Sequence, residues 1–300
     1  SVMLMGIFSL LMAAEFLMLD APDVALTEAA VGAGISTVLL LSALALTADT
    51  EEKQPRPPWI GLAAVVVLTS IVFYAVTDKP ALGDPNTPVQ THVAAEYFPM
   101  TRELVDIPNV VTAVLASFRG YDTLGEVIVV LTAAIGVLFL IGPEAPVGRR
   151  SPPPNRKASV GLKHHQPVRI VGKIAIPFIL LFAMYVQFHG EYSPGGGFQA
   201  GALFAAGIIL YGLLEGRRAA ESIIPTGVLR IMAAGGALIF GGVGIVTLIL
   251  GGNFLEYTVL NADPVVAQQV GIIVIEAGVG ITVAGVLLAI YHAFAARGEA

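Results

Sequence analysis

The chain has 300 residues, of which 56% are hydrophobic and only 13% are charged, whereas soluble domains carry about a quarter charged residues. Its formal net charge of −6 and the lack of a basic patch interleaved with aromatic residues argue against a nucleic-acid partner. Because the chain has no cysteine, disulfides, thiol chemistry and iron–sulfur ligation are excluded, and we expect no cofactor. A mean hydropathy of +0.81 indicates an integral membrane protein.

Eight apolar stretches are long enough to cross a bilayer, which takes about 20 residues of helix. They cover residues 2–19, 27–47, 59–77, 123–141, 170–189, 197–214, 229–250 and 269–292. The sequence therefore predicts an all-α integral membrane protein with about eight transmembrane helices. The first stretch has neither a charged leader nor a cleavage site, so we expect no removable signal peptide, although a further helix ahead of residue 1 stays open.

Two connections between these stretches are long. In residues 78–122 a turn-rich segment is followed by a short apolar run, Val110 to Phe118, which is too brief to span and is interpreted as a re-entrant or interfacial helix. Residues 143–166 contain Ser151 followed by three prolines, and basic residues are frequent. This composition predicts a cytoplasmic linker and the clearest domain boundary of the chain.

The lysines and arginines are distributed unequally between the two sides of the predicted bundle. With residue 1 on the cytoplasmic side, twelve of the 16 basic residues fall in inner loops, and only Lys79, Arg102 and Arg119 fall in outer ones. The positive-inside tendency favours this orientation. Lys173 and His292 lie near predicted inner helix ends, where we expect them to extend to the lipid headgroups.

Ionisable residues near or within apolar spans are functional candidates, because burying a charge in lipid is costly. The candidates for an ion or proton pathway are Glu28, Glu126, Glu276, Asp23, Asp122 and Glu15. Only Glu276 lies deep, and all fall in the outer half of the predicted membrane, as an acidic cation vestibule would require. For Glu28 and Glu126 a structural salt bridge to a neighbouring subunit is the alternative. Asp122 could cap its helix.

Some other polar residues have a simpler interpretation. Asp20, Asp23 and Glu191 lie at outer helix ends or in loops, where a carboxylate can be hydrated. The segment after His189 contains Pro194, Gly195, Gly196 and Gly197, which cannot continue a helix. A tight hairpin with close backbone packing is the structural interpretation, and an unwound stretch lining an ion route is the alternative. The glycines of the last four spans are interpreted mainly as packing surfaces.

Three strings together resemble Mrp-type cation/proton antiporters and their relatives in membrane-bound hydrogenases. Residues 20–29, with Pro22 and Thr27, resemble the small D module of the hydrogenases, and residues 118–126, with Gly125, resemble their E module. Residues 189–201 and 276–279 resemble the B component of the antiporters. The resemblance divides the chain into a D-like region (1–78), an E-like region (79–142), the linker (143–166) and a B-like domain of four helices (167–296).

The resemblance implies a non-catalytic subunit of a cell-membrane antiporter that exchanges Na⁺ or another monovalent cation for protons. Its partners would be the A-, C-, D-, E-, F- and G-like subunits of that complex, together with lipid, and no metal beyond transient Na⁺ is expected. The alternative is the membrane arm of a redox-driven complex such as a hydrogenase, and a pure scaffold is a third possibility. Residues 20–29 also resemble the carboxy-terminal part of the A component of the antiporters, in which Gln commonly holds the position of Glu28 and Glu that of Gly32. The acid could have been relocated, or an independent lineage could do without the second site.

Overall fold

The computed structural model describes residues 2–44, 58–81, 83–141 and 166–299. Within these ranges it contains no strand, and seven helices are long and apolar enough to cross a membrane, with a shorter apolar helix at Val2–Met18. The prediction of about eight transmembrane helices is confirmed. The predicted linker over 143–166 lies outside the described residues except for its last position.

The chain divides into two compact units, Ser1–Thr47 with Met100–Ala300, and Ala48–Pro99. The first unit begins with α1 (Val2–Met18) and α2 (Pro22–Leu44). The smaller unit contains α3 (Pro58–Thr77), whose apolar side chains are exposed, and further helical turns from Val89 that the sequence did not predict. An exposed apolar helix of this length suits lipid or a neighbouring subunit.

The remaining long helices all belong to the first unit. They are α4 (Gly120–Ile141), α5 (Gln166–His189), α6 (Gly197–Glu215), the short α7 (Arg217–Ile223), α8 (Thr226–Ile249) and α9 (Pro264–Glu299). Several begin a few residues before the predicted apolar runs, because a helix can start in polar sequence. In α4, for example, Asp122 lies inside the first turn and binds the Arg119 guanidinium at 2.6 Å, whereas we expected it to cap the helix.

The turn between α1 and α2 follows from its sequence. Asp20 adopts a left-handed conformation with φ of 59°, a region that Asp tolerates better than most residues. Pro22 then occupies the first turn of α2, where its missing N–H costs no hydrogen bond, and Asp23 lies at the positive end of the helix dipole. From Glu28 to Ile35 the helix winds as a π-helix.

The predicted short helix is present at Val110–Phe118, as an α-helical turn followed by a π-helical stretch. Asn109 caps it by accepting hydrogen bonds from the backbone of Val111 at 2.9 Å and of Thr112 at 3.3 Å. Its Ala116 carbonyl accepts a hydrogen bond of 2.9 Å from the hydroxyl of Tyr257, which is fully buried. The helix therefore packs inside the bundle against the loop before α9.

Two side chains near the predicted inner end were expected to extend to the lipid headgroups. Lys173 pairs with Glu215 at 2.8 Å, and Glu215 also forms a bidentate pair with Arg169 at 2.6 and 2.7 Å. The prediction that His292 extends to the headgroups is wrong, because only 2% of this residue is exposed. Hydropathy alone could not reveal that neighbouring helices cover it.

Helix α9 forms the centre of the first unit and packs against α4, α6 and α8. In lipid, helices associate through close packing, and small residues permit the closest approach. A Cβ atom on Gly197 would overlap the Glu276 carbonyl oxygen, and one on Gly201 would lie 2.5 Å from the Gly280 carbonyl oxygen. These glycines therefore form a packing surface, whereas a Cβ on Gly241 would meet no atom within 4 Å in the described part of the chain.

We expect Gly201→Ala to destabilise the protein by about 1–3 kcal/mol, because the added methyl group forces two helix backbones apart. Gly241→Ala is the matched control, since its methyl group enters open space and alanine favours a helix over glycine by about 0.5–1 kcal/mol. The midpoint of thermal unfolding (Tm) in detergent should fall for the first variant only. Equal changes in Tm for both variants would contradict this account of the packing.

Candidate functional site

The turn between α5 and α6 has little room for side chains. Gly196 adopts a φ of 122°, which strongly favours glycine, and its backbone N–H donates to the Val186 carbonyl at 3.1 Å. A Cβ on Gly195 would lie 2.7 Å from that same carbonyl oxygen. The glycines after Pro194 therefore fold the chain back over the end of α5, as a tight hairpin.

Asn109 is hydrogen-bonded to this turn. Its side-chain amide donates to the carbonyls of Gly190 at 3.0 Å and Ser193 at 3.2 Å, and to Asp23 Oδ1 at 3.2 Å. The Asn109 backbone N–H also donates to the Glu191 carbonyl at 3.0 Å. Sequence reasoning did not select this residue, because its partners lie more than 80 positions away in the chain.

Asp23 and Thr27 join the start of α2 to the same turn. Asp23 Oδ1 accepts from the Gly195 backbone N–H at 3.4 Å. The Thr27 hydroxyl donates to the Asp23 carbonyl at 2.9 Å and accepts from Gln199 Nε2 at 2.7 Å. Asp23 is therefore not a freely hydrated loop residue but part of a hydrogen-bonded junction between α2 and α6.

Glu276 projects from α9 toward this junction. A Cβ on Gly196 would lie 3.2 Å from Glu276 Oε1 and 3.5 Å from Gln199 Oε1, so both side chains border the turn. Asp23 and Glu191 are near enough to interact electrostatically with the Glu276 carboxylate. Three carboxylates from distant parts of the sequence thus converge, and we call Asp23, Glu191 and Glu276 the acidic cluster.

Glu191 differs most from its predicted environment. It is half-buried, and its Oε1 atom has no hydrogen-bond partner among the described residues. Burial raises the pKa of this carboxyl above its usual 4.5. The expectation of a hydrated loop carboxylate is therefore wrong, and its position beside the helix-breaking glycines was the only signal in the sequence.

The other candidate acids lie elsewhere. The Glu28 carboxylate folds over Gly32, where an added Cβ would overlap it and would lie 2.9 Å from Ser9 Oγ. Glu126 is exposed on α4, and Glu15 is exposed on α1. A Cβ on Gly125 would meet no atom within 4 Å in the described ranges. The chain by itself therefore brings only Asp23 and Glu276, of the predicted acids, into one cluster.

The acidic cluster is not a closed metal cage. Among the described residues, no group of three or more His, Asp or Glu side chains is placed to hold a metal ion. Coordinated divalent metals are usually bound by several such ligands at short distances. The arrangement suits a proton or a partly hydrated monovalent cation better than a tightly bound metal.

The raised pKa of Glu191 leads to a pH-dependent prediction. The pKa of the Glu191 carboxyl in the folded protein lies above 4.5. The contribution of Glu191 to stability is therefore present below pH 4.5 and is lost as pH rises through the folded pKa. Glu191→Gln should therefore gain Tm relative to wild type as pH rises. A Tm difference between Glu191→Gln and wild type that stays constant as pH rises would contradict the burial of the Glu191 carboxylate.

Glu256→Gln is the matched control with the opposite sign. The backbone N–H and the side-chain amide of Asn253 donate to Glu256, at 2.7 and 2.8 Å, and hold the pKa of Glu256 below 4.5. Its contribution to stability is present above 4.5 and is lost as pH falls through the folded value. This variant should lose Tm at neutral pH and converge with wild type in acid.

Three protein-family models match the chain. A domain related to the MnhB subunit of Na⁺/H⁺ antiporter matches residues 167–289. The MbhD model, for the D component of MBH, matches residues 1–49, and the MbhE model, for the E component, matches residues 63–156.

Several named proteins are similar in sequence. A Staphylococcus aureus protein named as a putative antiporter subunit, mnhB2, is 31% identical over 126 residues, which cover 41% of this chain and 89% of that protein. A Rhizobium meliloti protein named as a probable A/B subunit of a K⁺/H⁺ antiporter is 27% identical over 78% of this chain. The A component of an Alkalihalophilus pseudofirmus Na⁺/H⁺ antiporter is 27% identical over 47% of the chain. The chain spans 25% and 17% of the lengths of these last two proteins.

Two solved structures share the fold. A chain of the Mrp complex from Dietzia sp. DQ12-45-1b matches 98% of this chain, with a TM-score of 0.74 and 24% identity. The matched part is 32% of the length of the Dietzia chain. A chain of the membrane-bound sulfane sulfur reductase, an archaeal respiratory membrane complex, matches 77% with a TM-score of 0.53 and 24% identity, over 97% of its own length. The chain has multiple helices that are long and apolar enough to cross a membrane, and it matches named antiporter subunits. It therefore belongs to the Mrp/Mnh-type antiporter subunit family and is a multi-pass protein of the cell membrane.

Proposed function

We propose that this chain is a non-catalytic subunit of a hetero-oligomeric antiporter that exchanges Na⁺, or another monovalent cation, for protons. Its role is to contribute part of the cation path, or the contact that couples this path to proton-translocating subunits. The family and the names of the matched relatives support the transport class. The acidic cluster of Asp23, Glu191 and Glu276 is the observation that carries the proposal for this chain.

The chemistry of the cluster suits exchange. Neighbouring carboxylates repel each other when all are ionised, so the site gains from binding a positive charge. A proton and a monovalent cation both provide that charge, and each disfavours the other. Binding that is attractive but weak permits rapid release, which conduction requires. With the predicted orientation the cluster lies toward the outer face, where an incoming proton would displace an outgoing cation.

The turn glycines and the amide side chains would give the cluster its shape. Gln199 Oε1 borders the turn beside Glu276 and offers a neutral oxygen to a cation. The Asn109 side-chain amide and the Gly195 backbone N–H donate hydrogen bonds to the Asp23 carboxylate and fix its position. Asp23 would thus hold the cation side of the cluster in place, while Glu276 and Glu191 would take up and release the proton.

The direct test is cation-dependent proton exchange in everted vesicles that contain the assembled complex. Glu276→Gln and Asp23→Asn should each raise the apparent KM for Na⁺ about tenfold or more, because each removes a charged contact with the cation. Glu103→Gln is the control, since Glu103 is an exposed acid on the same predicted side of the membrane. Normal exchange and KM in both cluster variants of an assembled complex would overturn the assignment.

Glu28 offers a second test, based on its contact with Gly32. Its carboxylate occupies the space that a side chain at Gly32 would enter, so an acid at either position would reach the same region. We expect Glu28→Gln to slow exchange and the double change Glu28→Gln with Gly32→Glu to restore at least half of it. Loss of exchange in the single variant without recovery in the assembled double variant would show that the acid is not transferable between these positions.

Glu126 suits a contact with a neighbouring protein of the complex. It is exposed on a membrane-spanning helix, one turn from Asp122, and an ionisable group in lipid needs a partner or water. We propose that a neighbouring subunit covers it, either as a salt bridge or as part of the ion path. Glu15, exposed on α1, belongs to the same class.

The matches to the D and E components of MBH, and the fold shared with a respiratory membrane complex, support a second candidate function. In that case the chain would serve in the membrane arm of a redox-driven ion pump. Purification of the intact complex separates the two functions. Iron–sulfur subunits that co-purify in stoichiometric amounts would favour the redox-driven complex, and a complex of membrane subunits alone would favour the antiporter.

A further inference from the structure

A pocket of about 280 Å³ lies at the opposite end of the bundle from the turn glycines. It is formed where four helices meet: the carboxyl-terminal parts of α4 and α9, the short α7, and the first turns of α8. This end carries the basic loops and is the predicted cytoplasmic side. None of the residues that line it belongs to the acidic cluster.

The polar lining of the pocket is mainly basic. Arg217 and Arg230 contribute two guanidinium groups, and Glu221 contributes one carboxylate. Glu221 pairs with Arg217 at 2.6 Å, so the formal charge of the lining is positive by one even with a neutral histidine. Thr226 adds a hydroxyl at the first position of α8, a helix of 24 residues whose positive dipole end faces this region.

His292 provides an independent indication of a ligand. This residue lines the pocket and is only 2% exposed, yet neither ring nitrogen has a hydrogen-bond partner in the part of the chain that the structure describes. Buried polar groups are almost always hydrogen-bonded, to protein, water or a ligand. A neutral imidazole can donate one hydrogen bond into the pocket, and a charged one can donate two.

The depth of the pocket indicates where its ligand would come from. Helix α9 has 36 residues and is therefore about 54 Å long, which exceeds a hydrocarbon core of about 30 Å. His292 lies near its carboxyl end, so the pocket falls close to the headgroup layer. The remaining lining is apolar, from Leu138, Ala289, Ala293 and Ala296, and is suited to the glycerol and upper acyl carbons of a lipid.

We propose that this pocket binds a phosphate-bearing anion, the headgroup of an anionic phospholipid or free phosphate. Arg230 and Arg217 would contact the phosphate oxygens, because planar guanidinium groups match phosphate geometry. Thr226 and His292 would donate the remaining hydrogen bonds. Basic pockets between transmembrane helices on the cytoplasmic side are a recurrent type of lipid site.

The experiment measures lipid binding by native mass spectrometry of the full chain, purified in detergent with the subunits that accompany it. Phosphatidylglycerol is titrated against diacylglycerol with the same acyl chains, which lacks the phosphate. Arg230→Gln should weaken phosphatidylglycerol binding about five- to tenfold, because one cationic contact is lost. Arg218→Gln is the matched control, since Arg218 is an exposed neighbour that does not line the pocket.

His292→Phe provides a second variant that keeps the ring volume and removes both nitrogens. It should weaken phosphatidylglycerol binding while diacylglycerol binding stays unchanged. Competition by inorganic phosphate, lost in Arg230→Gln, would identify free phosphate as a further source of the ligand, and no competition would identify the lipid alone. Equal binding of the two lipids, or equal weakening by Arg230→Gln and Arg218→Gln, would overturn the proposal. Transport activity is not part of this measurement, so its outcome is independent of the acidic cluster.

Discussion

The backbone of α6 lies directly against the backbone of α9, and Gly197 and Gly201 make this contact sterically permitted. Lipid offers no hydrophobic drive for helix association, so van der Waals contact at this distance contributes much of what holds the two helices together. The same contact fixes where the turn before α6 lies. Glu276 lies on α9, on the other side of this contact, so the packing of the two helices brings its carboxylate beside Gly196.

The polar groups near that contact connect segments that are far apart in the sequence. Asn109 reaches Asp23 on one side and the carbonyls of Gly190 and Ser193 on the other, while Thr27 and Gln199 join α2 to α6. Regions matched by separate family models therefore share one hydrogen-bonded junction. Such a network is costly to leave half satisfied, since an unpaired buried amide or hydroxyl loses its water without compensation. The junction accordingly depends on all three matched regions of the chain.

The spans were predictable because a membrane-spanning helix is a local property of about 20 residues, and the structure places helices at all eight apolar stretches. The acidic cluster was predictable only in part. Asp23 and Glu276 could be selected as ionisable residues near or within apolar spans, but Glu191 and Asn109 acquire their roles through contacts across 80 or more positions, which no local pattern encodes. His292 was misjudged for the same reason, because neighbouring helices bury it.

The π-helical stretch from Glu28 to Ile35 has a consequence for how the length of α2 can vary. A π-helix accommodates more residues per turn than an α-helix, whose residues each advance the helix by about 100°. Deletion of one residue within an α-helical stretch would rotate everything beyond it to another face. Within the π-helical stretch, the same deletion could be absorbed by tightening to α-helical winding. Asp23 and Thr27 would then keep their orientation toward α6, and the half of α2 beyond Ile35 would keep its present orientation. Evolution could therefore change the length of α2 within the π-helical stretch while the hydrogen bonds of the junction stay intact.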